Sequence, residues 1–120
     1  MKNRRRHNRI LISGSATLQF IKKGGIQSIQ TLIANISLRG IGLYSYSSIK
    51  VGTSVSIAAF FISSDGGLRT DSIEGRVVND RKIGNTHFLG IQFDEEINAQ
   101  NQPSLFEHLH KNPSNRLIAD

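Results

Sequence analysis

The 120-residue chain contains no cysteine, no tryptophan and only two prolines. Without cysteine there is no disulfide framework and no thiolate ligand for a metal. That composition fits a reducing compartment, and a cytoplasmic location is expected. A long apolar run is missing too: residues 10–17 are short and interrupted by Ser13, Gly14 and Ser15, so no membrane span is expected. The basic start followed by a few apolar residues has some likeness to a secretory signal. Against it, Leu18-Gln19-Phe20-Ile21 continues as an alternating strand with no small-residue cleavage site. No Gly-x-Ser-x-Gly elbow and no phosphate-cradling glycine loop occurs. The four histidines, His7, His87, His108 and His110, lack zinc-binding spacing. An enzyme is not expected, nor is a metal or a cofactor.

Acidic side chains are absent from the first half, the earliest being Asp65. Residues 1–64 carry nine Lys or Arg and no acid, while the remainder carries six against nine acids. The net charge is +6. A molecule with one cationic half calls for an anionic partner, contacted mainly through that half. The charge is densest in Met1-Lys2-Asn3-Arg4-Arg5-Arg6-His7-Asn8-Arg9, where five side chains are cationic. Such a block repels itself and does not fold alone, so residues 1–14 are read as a flexible basic arm. Within it Arg5 and Arg9 stand four apart, and each guanidinium fork can take a phosphate or the Hoogsteen edge of a guanine bidentately.

At 13.3 kDa and 38% hydrophobic, the chain is one domain with enough apolar material for a core. Ala16, Leu18 and Phe20 alternate with polar residues, which predicts a half-buried strand over 15–21. Lys22-Lys23-Gly24-Gly25 reads as a hairpin turn. Further strands are expected over 26–34 (anchored by Ile29, Leu32 and Ile33), 41–46, 54–63, 68–79 and 86–93. Turns are expected over 35–40 and 80–85. Gly75 is read as a bulge or a close backbone approach. On the strand 86–93, His87, Leu89, Ile91 and Phe93 share one face. In the segment 103–111, Leu105, Phe106 and Leu109 form one stripe of a short helix, opened by Pro103 and ended by Pro113. Residues 116–120 are expected to fray. The fold class is therefore all-β: a small six-stranded antiparallel barrel over 15–94, then a linker and a C-terminal α-helix over 95–120.

Besides the arm, one other stretch stands out. Asn35-Ile36-Ser37-Leu38-Arg39-Gly40 carries small hydrogen-bonding side chains at its first and third positions and a glycine at its sixth. Asn35 and Ser37 either satisfy their own turn backbone or present donors and acceptors to a ligand, with Gly40 allowing a flat ring to approach. Arg5-xxx-Arg9 followed some thirty residues later by [Asp/Asn]-x-Ser-x-x-Gly resembles the PilZ domain family, bacterial receptors for cyclic di-GMP. The likeness extends over most of the chain, including Gly75-Arg76-Val77-Val78 and Leu89-Gly90-Ile91-Gln92-Phe93.

The resemblance implies that Arg5, Arg6 and Arg9 hold guanine and phosphate from the arm, while Asn35, Ser37, Arg39 and Gly40 line the barrel. It implies a receptor whose arm changes order on binding and signals to a protein partner in processes such as motility or biofilm formation. An aromatic that stacks on the ligand in some relatives is not evident, though Asn79 and Arg81 stand nearby and an arginine can stack instead. Charge-assisted bonds of about 1.5–3 kcal/mol each, less the cost of ordering the arm, suffice for micromolar affinity. Two other readings remain: a nucleic-acid-binding barrel with a basic arm, and a ligand-free adaptor of the same family. The scarcity of aromatics on outward periods weighs against nucleic acid.

Overall fold

The computed structural model describes residues 9–10, 14–62, 65–111 and 117–118. Six long strands form the body: β2 (Gly14–Lys22), β3 (Gly25–Ile36), β4 (Gly40–Ser45), β5 (Ser54–Ile62), β6 (Leu68–Ile83) and β7 (Thr86–Phe93). They run in the order β2-β5-β6-β7-β4-β3, and β3 returns to β2, so the antiparallel sheet closes into a barrel. Two short pieces, β1 (Arg9–Ile10) and β8 (Leu117–Ile118), extend the sheet from β3. Helix α1 (Pro103–Lys111) follows the barrel.

Strand period sets what lies inside. Leu18, Leu43, Ile57, Phe61, Val77 and Leu89 are fully buried and fill the interior. Leu105 and Leu109 bring the apolar stripe of α1 onto the same core, with Phe106 packed beside them. The helix is fastened by Asp71, whose Oδ2 accepts from Leu105 N at 2.9 Å, and by Gln102, whose side chain donates to Ser72 O. The carboxylate thus satisfies one of the free N–H groups that open any helix. Burial raises the Asp71 carboxyl above its usual value, offset in part by the Leu105 bond. Its contribution to stability therefore falls as the pH rises past 3.8 toward the native value. Asp71→Ala should cost ~1 kcal/mol, as loss of a helix cap does, and speed hydrogen exchange at the Leu105 amide about fivefold. An unchanged rate would mean the carboxylate does not hold the helix.

Several boundaries differ from the sequence expectation. Asn35 and Ile36 belong to β3, because a bulge between Ile33 and Asn35 resets the register and lets the strand continue; only residues 37–39 turn. Likewise β6 runs through Asp80 to Ile83, and the turn shrinks to Gly84-Asn85. The bulge on β6 lies between Val77 and Asn79, whereas Gly75 is a close approach: a Cβ there would meet Gln92 O at 2.7 Å. On β3 the expected anchor Leu32 is 63% exposed, and Thr31 points inward, its hydroxyl donating to Ala16 O at 2.8 Å. Arg9–Ile10, assigned to the arm, pair with Ile36 and with Leu117–Ile118 of the segment expected to fray. The first hairpin turns on Lys23 (φ 52°) and Gly24 (φ 79°). That pair of positive φ values matches the right-handed twist of the strands it joins.

Candidate ligand-binding site

Antiparallel pairing arranges the outward positions of four neighbouring strands into rows. Asn35 of β3 pairs with Gly42 of β4, Gly42 with Gly90 of β7, and Gly90 with Asn79 of β6. Two glycines therefore meet in the middle of this row, and an asparagine stands at each end. One step along, Leu32, Tyr44, Phe88 and Arg81 form an apolar and aromatic row by the same pairings. Phe88 meets Tyr44 edge-on at 5.5 Å, and the Arg81 guanidinium lies 5.6 Å from the Phe88 ring centre. On the other side Gly40 pairs with Gln92, and Gln92 with Arg76. The glycines are needed by the packing as well. A Cβ on Gly42 would meet Phe88 Cζ at 2.6 Å and Asn35 Oδ1 at 3.0 Å, so the ring and the amide both rest against that glycine.

The turn at the end of β3 is held by its own backbone. Ser37 N donates to Gly40 O at 2.9 Å, and Arg39 N donates to Ser37 Oγ at 3.3 Å. Ser37 is 6% exposed. Arg39 O accepts from Phe93 N, and Leu38 O from Ile97 N, which pins the turn to the exit of β7. Gly40 has a structural reason of its own, since a Cβ there would meet Ile91 O at 2.6 Å. Arg39 reaches Glu96 at 3.4 Å, and both side chains are about half exposed.

Of the residues singled out in the sequence, Asn35, Ser37, Arg39 and Gly40 lie together around this turn. The backbone of Arg9 joins them: Ile10 pairs with Ile36, so the antiparallel register carries residue 9 level with Ser37. Arg5 and Arg6 lie outside the described residues. Sequence reasoning missed Gly42, Gly90 and Phe88. The signal was present, because placing His87 and Leu89 on the inner face puts Phe88 and Gly90 outward. His87, read as a packing or hydrogen-bonding residue, has Nδ1 at 2.8 Å from Asp80 Oδ1. Among the described residues, no group of three or more His, Asp or Glu is arranged to hold a metal ion, and no helix is long and apolar enough to cross a membrane.

The structure of the Bacillus subtilis inhibitor of motility, MotI/DgrA, superposes with a TM-score of 0.72 at 18% identity, over 96% of this chain and 54% of that one. The chain thus spans about half the length of that relative. The PilZ domain of YcgR from Escherichia coli, determined with c-di-GMP, gives a TM-score of 0.60 at 14% identity, over 90% and 91% of the two chains. A tetrameric PilZ protein from Xanthomonas campestris gives 0.50 at 23% identity, over 68% and 43%. No match emerged among curated proteins. The family model described as PilZ domain matches residues 3–111. With that match over most of its length and the barrel that these relatives share, the chain belongs to the PilZ domain family.

Proposed function

We propose that the chain is a cyclic di-GMP receptor whose N-terminal arm changes order when the dinucleotide binds, and that it passes this change to a protein partner. The observation that carries the reading is the Asn35–Gly42–Gly90–Asn79 row, set beside the Ser37–Gly40 turn and the end of β1. The Phe88 ring and the Asn35 amide already lie over Gly42, so a purine laid across this row rests on that ring, beside the side-chain-free Gly90. An amide at either end can donate to or accept from its edge. Arg5, Arg6 and Arg9 of the arm supply forks for two phosphates and for guanine O6 and N7. Arg81, the arginine that the sequence placed nearby, and Phe88, which it did not single out, offer a stacking surface. In this reading the chain carries no cofactor, performs no chemistry on the dinucleotide, and acts in the cytoplasm on processes such as motility or biofilm formation.

Titration calorimetry with c-di-GMP at near-physiological salt tests the reading, and saturable binding at micromolar concentration is expected. Duplex DNA is the informative competitor. Five cations each neutralising a phosphate would give a log–log salt slope of about −4.5, whereas a ligand with two phosphates gives a much shallower one. A steep slope with DNA and no heat with c-di-GMP would replace this proposal by the nucleic-acid reading.

Glu96 sharpens the test. Its carboxylate competes for Arg39 beside the site. An exposed pair of this kind contributes ~0.2–1 kcal/mol, so Glu96→Ala should tighten c-di-GMP binding by about 1.4- to fivefold while leaving the melting temperature nearly unchanged. Weaker binding by this variant would show that Glu96 contacts the ligand instead.

A further inference from the structure

β3 is longer than the strands beside it. Its residues 32–36 pair with β4, and its residues 25–32 pair with β2 along the opposite edge. β4 stops at Ser45, where the Ser45 hydroxyl binds both Ser47 O and Ser47 N at 2.9 Å and turns the chain away. Asp80 then draws the following loop toward β6, accepting from Ser48 Oγ at 2.6 Å and Ile49 N at 3.1 Å. The place that a longer β4 would fill stays open. Counting from the hydrogen-bonded closing pair Lys22–Gly25, the main-chain groups of Ile26, Ser28 and Gln30 face away from β2. Among the described residues no strand pairs with them there.

Next to this edge lies a cleft of about 720 Å³ lined by Gln30, Leu32, Tyr44, Tyr46, Ile83 and neighbouring hydroxyl residues. Ile26 is 74% exposed and Tyr46 86%. Exposed strand edges with apolar flanks invite another strand, and proteins ordinarily guard against that. The exposed charge around it is basic: Lys22 and Lys23 lie at the hairpin tip, Arg81 and Lys82 ahead of Ile83, and no acid occurs in β2, β3 or β4, while the neighbouring Asp80 carboxylate is largely buried and engaged by Ser48, Ile49 and His87. A second copy of a chain with net charge +6 meets repulsion here, and so does the chain's own basic arm.

We propose that the β3 edge at residues 26–30 accepts an extended acidic segment of a partner protein as an added strand, with apolar residues at alternate positions resting on Leu32, Tyr46 and Ile83. Main-chain bonds to Ile26, Ser28 and Gln30 hold the segment, and the flanking lysines and arginine select its charge. This surface adjoins the candidate dinucleotide site, sharing Leu32 and Arg81 with it, but it rests on the unpaired β3 edge and is tested without c-di-GMP.

The test uses the full chain, followed by amide NMR, with an eight-residue peptide of alternating valine and glutamate as probe and its valine–lysine counterpart as control. Shifts centred on Ile26, Ser28, Gln30 and Tyr46 are expected, with slowed hydrogen exchange at the first three amides. Ser28→Pro removes an N–H that β2 does not use, a substitution edge strands tolerate; it should weaken the acidic peptide about tenfold, the cost of one bond and a blocked strand. Should that variant not fold, Tyr46→Asp, on a side chain already in solvent, is expected to weaken binding with an unchanged circular dichroism spectrum. Equal binding of the lysine peptide, shifts centred elsewhere, no binding by the acidic peptide, or self-association through the same amides at rising protein concentration would each overturn the proposal.

Discussion

Replacing Arg5 and Arg9 together with alanine is expected to weaken c-di-GMP binding by at least about 100-fold, since each charge-assisted contact contributes ~1.5–3 kcal/mol. The single substitutions should each cost about tenfold or more, and conservative lysine replacements should recover only part of the loss. Lysine keeps the charge but lacks the planar fork that grips a phosphate or a guanine edge through two parallel bonds. The barrel should be unaffected, because the six core strands pair among residues 14–93 and use neither arginine. Calorimetry reads the affinity, and thermal melting without ligand checks the fold. Wild-type affinity in the double variant would remove the arm from the site.

The second large effect is on stability. Asp80→Ala should destabilise the fold by ~2–3 kcal/mol, because charged hydrogen bonds to Ser48, Ile49 and His87 are lost together. For a domain of this size that is a drop of roughly 8–12 °C in melting temperature. Burial by itself would raise the Asp80 carboxyl, but the bonds from Ser48, His87 and Ile49, with the adjacent imidazole, outweigh it and hold the carboxyl below its usual value. The stability it supplies is thus fully present above an unfolded value of 3.8 and is lost as the pH falls through the lower native value. Wild type and variant should differ most at neutral pH and converge in strong acid. A gap that stayed constant down to low pH would show that packing, not the ionised carboxylate, is what the substitution removes. The loop released by this change borders the open edge of β3, so the same variant should also alter access to that edge.

Strand periods made the barrel legible. Alternation in 15–21, 54–63 and 86–93 identified β2, β5 and β7 nearly to the residue, and Pro103 with Leu105 and Leu109 marked the helix. What failed to show was wherever pairing overrides local composition. Asp80-Arg81-Lys82 has the make-up of a turn, yet each residue faces a partner on β7, and the ladder carries the strand through. Asn35 reads as a turn residue for the same reason, and only a bulge, which leaves no single-sequence mark, keeps it in β3. Leu32 shows the converse: it is apolar but exposed, because the inward position belongs to Thr31.

At the site, the Asn-x-Ser-x-x-Gly spacing found one corner. The row beside it depends on Gly42 meeting Gly90 across two strands some fifty residues apart, a juxtaposition that register creates and sequence spacing does not encode. Ser37 turned out to close its own turn, and Gly40 to admit the backbone of β7. Both residues therefore have a structural reason to be there whatever else they do.

Titrating c-di-GMP into the isotopically labelled chain while following every backbone amide is the decisive measurement. The largest shifts are predicted at Asn35, Gly42, Asn79 and Gly90, accompanied by the amides of the Ser37–Gly40 turn. Shifts confined to the opposite wall, β2 and β5, or an unchanged spectrum at a saturating excess of the dinucleotide, would contradict the proposed site.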